Sequence, residues 1–399
     1  MTEAVRDASA TTALVICPEG ADPHRRLLGL SLGERLLLAL SFGGVRQVVF
    51  VGPGERPRSD RAKIEVVDLA SWPPGGQVIV TTSDAVFDRG FVSAGQVPEG
   101  LPFRVMSAEE AAACARDVTG TVARLGAGEA HAGRGFGIRV VDRPSARRAH
   151  RALLLSLRKP IDGFISRNLN RYMSLAVSSW LVRTGITPNM VTISIGVLGL
   201  LAAFLVAQGQ PWWMLVTAGV LFQVQSVLDG CDGEIARLTY RFSHVGQWLD
   251  TVGDDVTNYA FCFGLAYGQA VVLGRADLMA FGVLTLGVQI VMALVLYRRM
   301  LRMGVGDLMA IPDTVTSGGK GGALAKVLKV LREASRRDTF ILIVASLTAL
   351  QLPLLAFFLF AVGTYPTFVA VLVNERRLAS QDKQKRALLD EGSTPQAVS

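Results

Sequence analysis

Two patterns of apolar positions divide the chain. Between residues 13 and 141, short apolar runs alternate with helical ones: "TALVIC", "LGERLLLALSFGG", "VRQVVFVGPG", "IEVVDL", "QVIVTTSD", "AEEAAACARDVTGTVARL" and "GFGIRVVD". Strand, helix, strand succession of this kind predicts an α/β domain on a largely parallel sheet. Beyond residue 187 the apolar stretches lengthen towards the roughly twenty residues that a bilayer core demands. They predict six transmembrane helices, at about 188–207, 212–235, 247–272, 277–298, 338–352 and 353–373. The last two meet at "QLPLL", where Pro353 favours a tight turn on the luminal side.

The segment joining the two patterns, from Arg143 to Gly185, sets Lys and Arg on one side of a helical repeat and Leu, Ile and Phe on the other. Helices lying along the membrane surface have that pattern. Four regions follow: a cytoplasmic α/β domain over 1–142, interfacial amphipathic helices over 143–186, a six-helix transmembrane domain over 187–378 and a polar tail over 379–399. The Gly-rich stretch "TVTSGGKGGALAK" before the fifth span lacks the Walker spacing and reads as a linker.

Composition agrees with a membrane protein. Half of the 399 residues are hydrophobic and the mean hydropathy is +0.37, too apolar for a wholly soluble chain. The net charge of +8 sits beside the apolar segments, in "RRAHRALLLSLRK", "YRRMLRMG", "NERR" and "KQKR". That is the positive-inside distribution, with attraction to anionic lipid headgroups, and it makes nucleic acid a poor partner. An even number of spans puts both termini on the cytoplasmic side of a multi-pass cell-membrane protein. The start, "MTEAVRDASATTALVICPEG", is acidic and has only a short apolar run, which is not the pattern of a secretory signal. Cys17, Cys114, Cys231 and Cys262 are dispersed without pairing, as buried thiols would be.

The chemistry concentrates where charge is most costly. "DGCDGEIARLTYRFSHVGQWLDTVGD", from Asp229 to Asp254, places Asp229 and Asp232 three apart and Asp250 and Asp254 four apart, so each pair shares a helix face. The intervening "IARLTYRFSHVG" is long enough for a cytoplasmic turn, which lets all four carboxylates converge. At about 2.5 to 3.5 kcal/mol per charge, four unpaired carboxylates would cost on the order of 10 kcal/mol in hydrocarbon. Arg237 alone cannot neutralise them. Oxygen ligands without Cys favour hard divalent ions, and two such ions suit displacement at phosphorus. Gly233, Ala236 and Gly246 lack bulk and permit close approach of a helix or ligand.

Asp229-x-x-Asp232-Gly233-x-x-Ala236-Arg237, eight residues, then Gly246-x-x-x-Asp250-x-x-x-Asp254 resembles the complete signature of the CDP-alcohol phosphotransferase family. The resemblance implies six transmembrane helices, a homodimer, and transfer of a phosphoalcohol from a CDP-linked donor to a hydroxyl acceptor with release of CMP. It implies Asp229, Asp232, Asp250 and Asp254 as ligands of two Mg²⁺ or Mn²⁺ ions, with Ca²⁺ as an inhibitory occupant. It implies Asp250 and Asp254 as the catalytic pair, Asp254 being a further metal ligand or the base that takes the acceptor's proton. Asp232, Gly233, Ala236, Arg237 and Gly246 match the positions that receive the CDP group. Asp255 falls on another helix face and reads as structural.

The lead-in "KPIDGFISRNLNRYMSLAVSSWLVRTGITPNMVT" resembles the inositol-linked branch, the di-myo-inositol phosphate phosphate synthases and their relatives. Lys159, Arg167, Arg171, Arg298, Arg299 and Arg337 are candidates to bind an acceptor phosphate, though snorkelling anchors explain each of them equally well. The front domain resembles the nucleotidyltransferase that makes CDP-inositol in that branch, but "PEGADPHRR" stands where a glycine-rich loop would hold a triphosphate. Asp84 and Asp142 occupy places that resemble its metal aspartates. A degenerate nucleotidyltransferase is the reading. The alternatives are a bifunctional enzyme that also makes CDP-inositol from CTP, and a non-catalytic membrane scaffold that recruits a soluble partner.

Overall fold

The computed structural model describes residues 12–71, 76–88, 101–126, 130–131, 135–158, 166–304 and 337–392. Lys159 and the Gly-rich linker at 314–326 lie outside the described residues. The chain divides into two compact units. The first takes Met1–Pro160, Leu175–Ile186 and Gly233–Arg241; the second takes Ile161–Ser174, Thr187–Asp232 and Phe242–Ser399.

The α/β part of the first unit runs β1 (Thr12–Ile16), β2 (Arg26–Leu27), β3 (Leu30–Ser31), α1 (Leu32–Phe42), β4 (Gln47–Val51), β5 (Glu65–Val66), β6 (Gln77–Thr82), β7 (Ala85–Phe87), β8 (Phe103–Ser107), α2 (Ala108–Arg116), α3 (Val118–Arg124), β9 (Ala130–His131), β10 (Gly135–Arg139) and α4 (Arg143–Ser156). The main sheet has the order β5-β4-β1-β6-β8, with only the β8 edge antiparallel. The largely parallel sheet expected from the sequence is therefore present. Every residue of β1 is buried, as in a parallel strand covered on both faces. Its side chains alternate: Ala13 and Val15 join a core with Leu36, Leu40 and Phe103, whereas Leu14 and Ile16 join another with Ala111 and Leu125.

Local capping sets the helix starts. Ser31 accepts from the Glu34 backbone N–H at 3.2 Å, and Ser107 with Glu110 forms a reciprocal capping box. The expected single helix "AEEAAACARDVTGTVARL" is broken at Asp117, whose side chain accepts from the Gly120 N–H at 2.9 Å and so starts α3. In α4, predicted to be amphipathic, Ala149, Ala152 and Leu153 face a third core with Phe136, Ile138 and Val140.

The helical remainder runs α5 (Arg171–Leu181), α6 (Pro188–Ala207), α7 (Trp212–Leu228), α8 (Cys231–Thr239), α9 (His244–Leu273), α10 (Ala276–Met303), α11 (Arg337–Ala349) and α12 (Pro353–Gly392). Among the described residues, five stretches are long and apolar enough to cross a membrane: Pro188–Ala207, Trp212–Thr239, His244–Leu273, Ala276–Met303 and Pro353–Leu378. The fifth expected span, 338–352, corresponds to the shorter apolar helix Asp338–Ala349. The turn predicted at "QLPLL" is present: Gln351 has φ +66°, and Pro353 begins α12, where its missing N–H is harmless.

In the second unit, aromatic stacking and small residues bring the helices together. Phe222 of α7 and Phe261 of α9 stack with ring centroids 3.9 Å apart. A Cβ added at Gly264 would lie 2.8 Å from the Ala203 carbonyl oxygen, one at Gly268 2.7 Å from that of Val206, and one at Gly219 2.4 Å from that of Ala345. Close backbone approach through small residues is how membrane helices gain contact without a hydrophobic driving force. The outward side chains, among them Val197, Phe204, Leu284 and Leu294, are exposed and apolar.

The first unit also includes the end of α8. The Arg241 N–H bonds the Ala236 carbonyl at 3.0 Å across Tyr240, which has φ +53°. This is a Schellman closure with tyrosine where glycine is usual, an arrangement that costs about 1 to 2 kcal/mol for an L side chain.

Candidate active site

The structure brings three of the four motif aspartates together, but Asp229 and Asp232 do not share a helix face as expected, because the turn at Asp229–Gly230 separates α7 from α8. Asp229 follows α7, and Asp250 and Asp254 lie one turn apart on α9. One carboxylate oxygen from each of the three lies within 4.8 Å of the other two, and all three residues are half-buried. Asp232, in the first turn of α8, is buried and lines the same cavity as Asp229, Asp250, Asp254, Thr192 and Gln225. Its Oδ2 accepts a hydrogen bond from Thr192 Oγ1 at 2.6 Å.

Three carboxylates this close repel one another, and no Cys or His joins them among the described residues. The donor set therefore fits a hard divalent cation and not zinc. The cavity also has room: a Cβ at Gly196 or Gly253 would meet nothing within 4 Å, although both residues line it. Gly246 differs, because a Cβ there would come 2.7 Å from Asn189 Oδ1. That oxygen ends a side chain, so a Cβ there would displace Asn189 and not the backbone at the start of α6.

A surrounding layer fixes the carboxylate-bearing turns. Gln225 Nε2 donates to Thr257 Oγ1 at 3.2 Å, and Thr257 Oγ1 donates to the Asp254 carbonyl at 3.0 Å. Asp255 faces away from the cavity lining and accepts from Tyr297 Oη at 2.7 Å. Thr192, Gln225 and Thr257 were not singled out from the sequence. Their only signal was a polar side chain within an apolar span, which marks functional positions more often than chance.

Gly233, Ala236 and Arg237 lie on α8, in the first unit. A Cβ at Gly233 would be 3.4 Å from Arg237 Nη1, an ordinary contact, so the neighbouring side chains do not demand glycine there. Of the candidate acceptor residues, Arg167, Arg171, Arg298 and Arg299 do not line the aspartate cavity. Arg167 and Arg298 are exposed, Arg171 is buried at the start of α5, and Arg299 lies 4.0 Å from Glu375. Arg337 opens α11, with no side chain described.

In the front unit, the two aspartates that resemble nucleotidyltransferase metal ligands are both engaged. Asp84 is buried against Arg139, with Nε to Oδ1 at 3.1 Å and Nη2 to Oδ2 at 2.8 Å. Asp142 caps α4, accepting from the Ser145 N–H at 2.7 Å, and that hydrogen bonding holds its carboxyl below the usual range. Open α/β sheets bind ligands beyond the carboxyl ends of their parallel strands. Here those ends are close-packed: a Cβ at Gly52 would be 2.4 Å from the Cys17 carbonyl oxygen, and one at Gly54 2.2 Å from that of Pro18. Burial pushes the Cys17 thiol up to about 11, so it is inert.

Residues 185–372 match the family described as CDP-alcohol phosphatidyltransferase, and the aspartate cavity lies wholly inside the match. Residues 185–372 are thus similar to a CDP-alcohol phosphatidyltransferase domain. A protein named "Bifunctional IPC transferase and DIPP synthase" from Aquifex aeolicus is 46% identical over 105 residues, 26% of this chain and 23% of that protein. One of the same name from Thermococcus kodakarensis is 39% identical over 135 residues, 33% of this chain and 30% of its own length. The "Archaetidylinositol phosphate synthase" of Pyrococcus horikoshii is 34% identical over 96 residues, 24% of this chain and 48% of its own. The chain thus spans less than half the length of each of these relatives. Their names agree with the inositol-linked branch that the lead-in resembles.

Proposed function

We propose that the protein is a membrane CDP-alcohol phosphotransferase that transfers a phosphoalcohol from a CDP-linked donor to a hydroxyl acceptor and releases CMP. The observation that carries this reading is the convergence of Asp229, Asp250 and Asp254 inside the family-matched segment. Asp229, Asp232, Asp250 and Asp254 would hold two Mg²⁺ or Mn²⁺ ions, which when bound offset charge on phosphate oxygens. Ca²⁺ would occupy the same carboxylates and inhibit. Gly233 leaves room for the CDP group, Arg237 pairs with its phosphates, and Asp232, Ala236 and Gly246 complete the nucleotide side. Asp254 takes the acceptor's hydroxyl proton. The acceptor oxygen then bonds to the phosphorus that bears the alcohol, and the bond from that phosphorus to CMP breaks.

The names of the relatives support a product of phospholipid or inositol-phosphate synthesis, of the di-myo-inositol phosphate type. The domain layout remains the one expected from sequence: a cytoplasmic α/β region over 1–142, surface helices over 143–186, six spans over 187–378 with both termini cytoplasmic, and a homodimer in the membrane. Lys159, Arg167, Arg171, Arg298, Arg299 and Arg337 remain candidates for an acceptor phosphate. Mass spectrometry of cells expressing the wild-type chain or Asp254→Asn tests the reading. A phosphodiester product that accumulates only with the wild type supports it, and identical product profiles contradict it.

A second activity, formation of the donor from CTP, is suggested by relatives named bifunctional. The pairing of Asp84 with Arg139 and the capping role of Asp142 weigh against it in this chain.

A further inference from the structure

The helix that carries Gly233, Ala236 and Arg237 ends immediately after them, at Leu238, Thr239 and Tyr240. All three terminal carbonyls are held by arginines of the α/β part of the same unit. Arg35 Nη1 donates to the Leu238 carbonyl at 2.9 Å, while its Nη2 donates to those of Leu27 and Leu28 at 2.8 and 3.1 Å. Arg61 Nη2 donates to the Thr239 and Tyr240 carbonyls at 2.7 and 3.0 Å, and its Nη1 pairs with Glu34 at 3.3 Å. Burial lowers the Arg35 guanidinium to about 10, so it stays charged at neutral pH. A buried guanidinium is unfavourable unless its donors are used, and both Nη groups of Arg35 are, bridging the β2–β3 turn to the end of α8, whereas its Nε has no partner among the described residues.

The closure of that end depends on the same unit. Helices α9 and α10 terminate on Gly274 and Gly304, which adopt the left-handed conformation without strain. At α8 the left-handed residue is Tyr240, 8% exposed, whose ring packs in the core with Val45 and Phe50 and lies 5.5 Å from that of Phe42. Near the other end of α8, buried Glu234 accepts from buried Ser178 at 2.7 Å. The part of α8 that belongs to the first unit is therefore held near both its ends within that unit.

We propose that the α/β unit is a clamp on the motif helix, with Arg35 and Arg61 as positioning residues that fix its carboxyl end and so hold Gly233, Ala236 and Arg237 ready for a CDP group. The clamp gives the front unit a role that needs no nucleotide chemistry of its own. The positioning part rests on the reading of α8 as the CDP-binding helix. The clamp itself rests on the hydrogen bonds above.

The test uses the full chain in lipid nanodiscs, as wild type, Arg61→Ala, Arg61→Lys and Arg35→Met, with CDP plus Mn²⁺ as the probe. Loss of charge-assisted hydrogen bonds at the end of α8 should speed amide exchange over 236–241 by about tenfold or more and leave α9 amides unchanged. CDP affinity should fall by about tenfold, Arg61→Lys should recover part of it, and Mn²⁺ affinity without nucleotide should stay within about twofold. Arg61 is partly exposed, so its replacement remains informative if Arg35→Met fails to fold. Unchanged exchange over 236–241 overturns the clamp. Faster exchange with unaltered CDP affinity overturns the positioning role, as does a parallel loss of Mn²⁺ and CDP affinity in Arg61→Ala. If the wild type binds Mn²⁺ and no CDP, the CDP reading of the site falls with the positioning role, and the exchange data still decide the clamp.

Discussion

Each aspartate of the signature has its own task at the scale of the residue. Asp254 is the candidate base, so Asp254→Asn should remove proton acceptance and leave the fold intact. Asp232 is oriented by Thr192 at 2.6 Å, an outer partner of the kind whose loss weakens metal affinity about 10 to 100-fold. Thr192→Val should therefore lower Mn²⁺ affinity by about tenfold, read by paramagnetic resonance of the bound ion, and Thr192→Ser should keep it. Asp250 and Asp254 were legible because a four-residue spacing within one helix fixes a face without any knowledge of neighbouring helices; the break between Asp229 and Asp232 was not. Nor was Thr192, since its role depends on its placement beside Asp232, forty residues on, and no local spacing records that.

At the scale of the element, two kinds of glycine behave differently. Gly268→Leu would drive a side chain into the Val206 carbonyl, and overpacking of this kind costs about 1 to 3 kcal/mol. It should lower the melting temperature in detergent. Gly253→Leu meets open space in the cavity and should leave the melt unchanged while raising KM for the donor. His150 of α4 gives the front unit a pH dependence. Burial, reinforced by Arg183, pushes its imidazole down, so the fold keeps it neutral while the unfolded chain gains a proton below about 6.5. Its contribution is complete above that pH and is lost as pH falls towards the lowered value. His150→Asn should flatten the fall in melting temperature between about pH 7.5 and 5.5. Apolar periodicity located β1, β4, β6 and the four longest helices, but not β8 or the two-residue strands β2, β3 and β9. It did not show the break at Asp117, which follows from a side-chain cap, or the glycine-free closure at Tyr240, which depends on residues some two hundred positions earlier in the chain.

For the molecule as a whole, the sequence divided the chain by solvent preference and located both an α/β region and a helical membrane region. It did not show that residues 175–186 and 233–241 group with the α/β unit, because those segments read locally as membrane helices and their ends. The grouping changes what the front unit is for. CTP-dependent pyrophosphate release by the full chain carrying Asp250→Asn should be absent, given the engagement of Asp84 and Asp142; turnover there would instead establish the bifunctional reading. Epitope tags at the two termini should both be protease-accessible in inside-out vesicles, and protection of either would overturn the proposed orientation.

The central claim is metal-dependent transfer at the aspartate cluster, and CMP release by purified protein measures it most directly. CDP-inositol, CDP-diacylglycerol, CDP-glycerol and CDP-archaeol would be supplied in turn, with Mg²⁺ or Mn²⁺ and lipid or inositol-phosphate acceptors. The expected result is CMP release from at least one donor, abolished by chelation and reduced by about 10² to 10⁴-fold in Asp254→Asn. Undiminished release by Asp254→Asn, or no release by the wild type from any of the four donors, would contradict it.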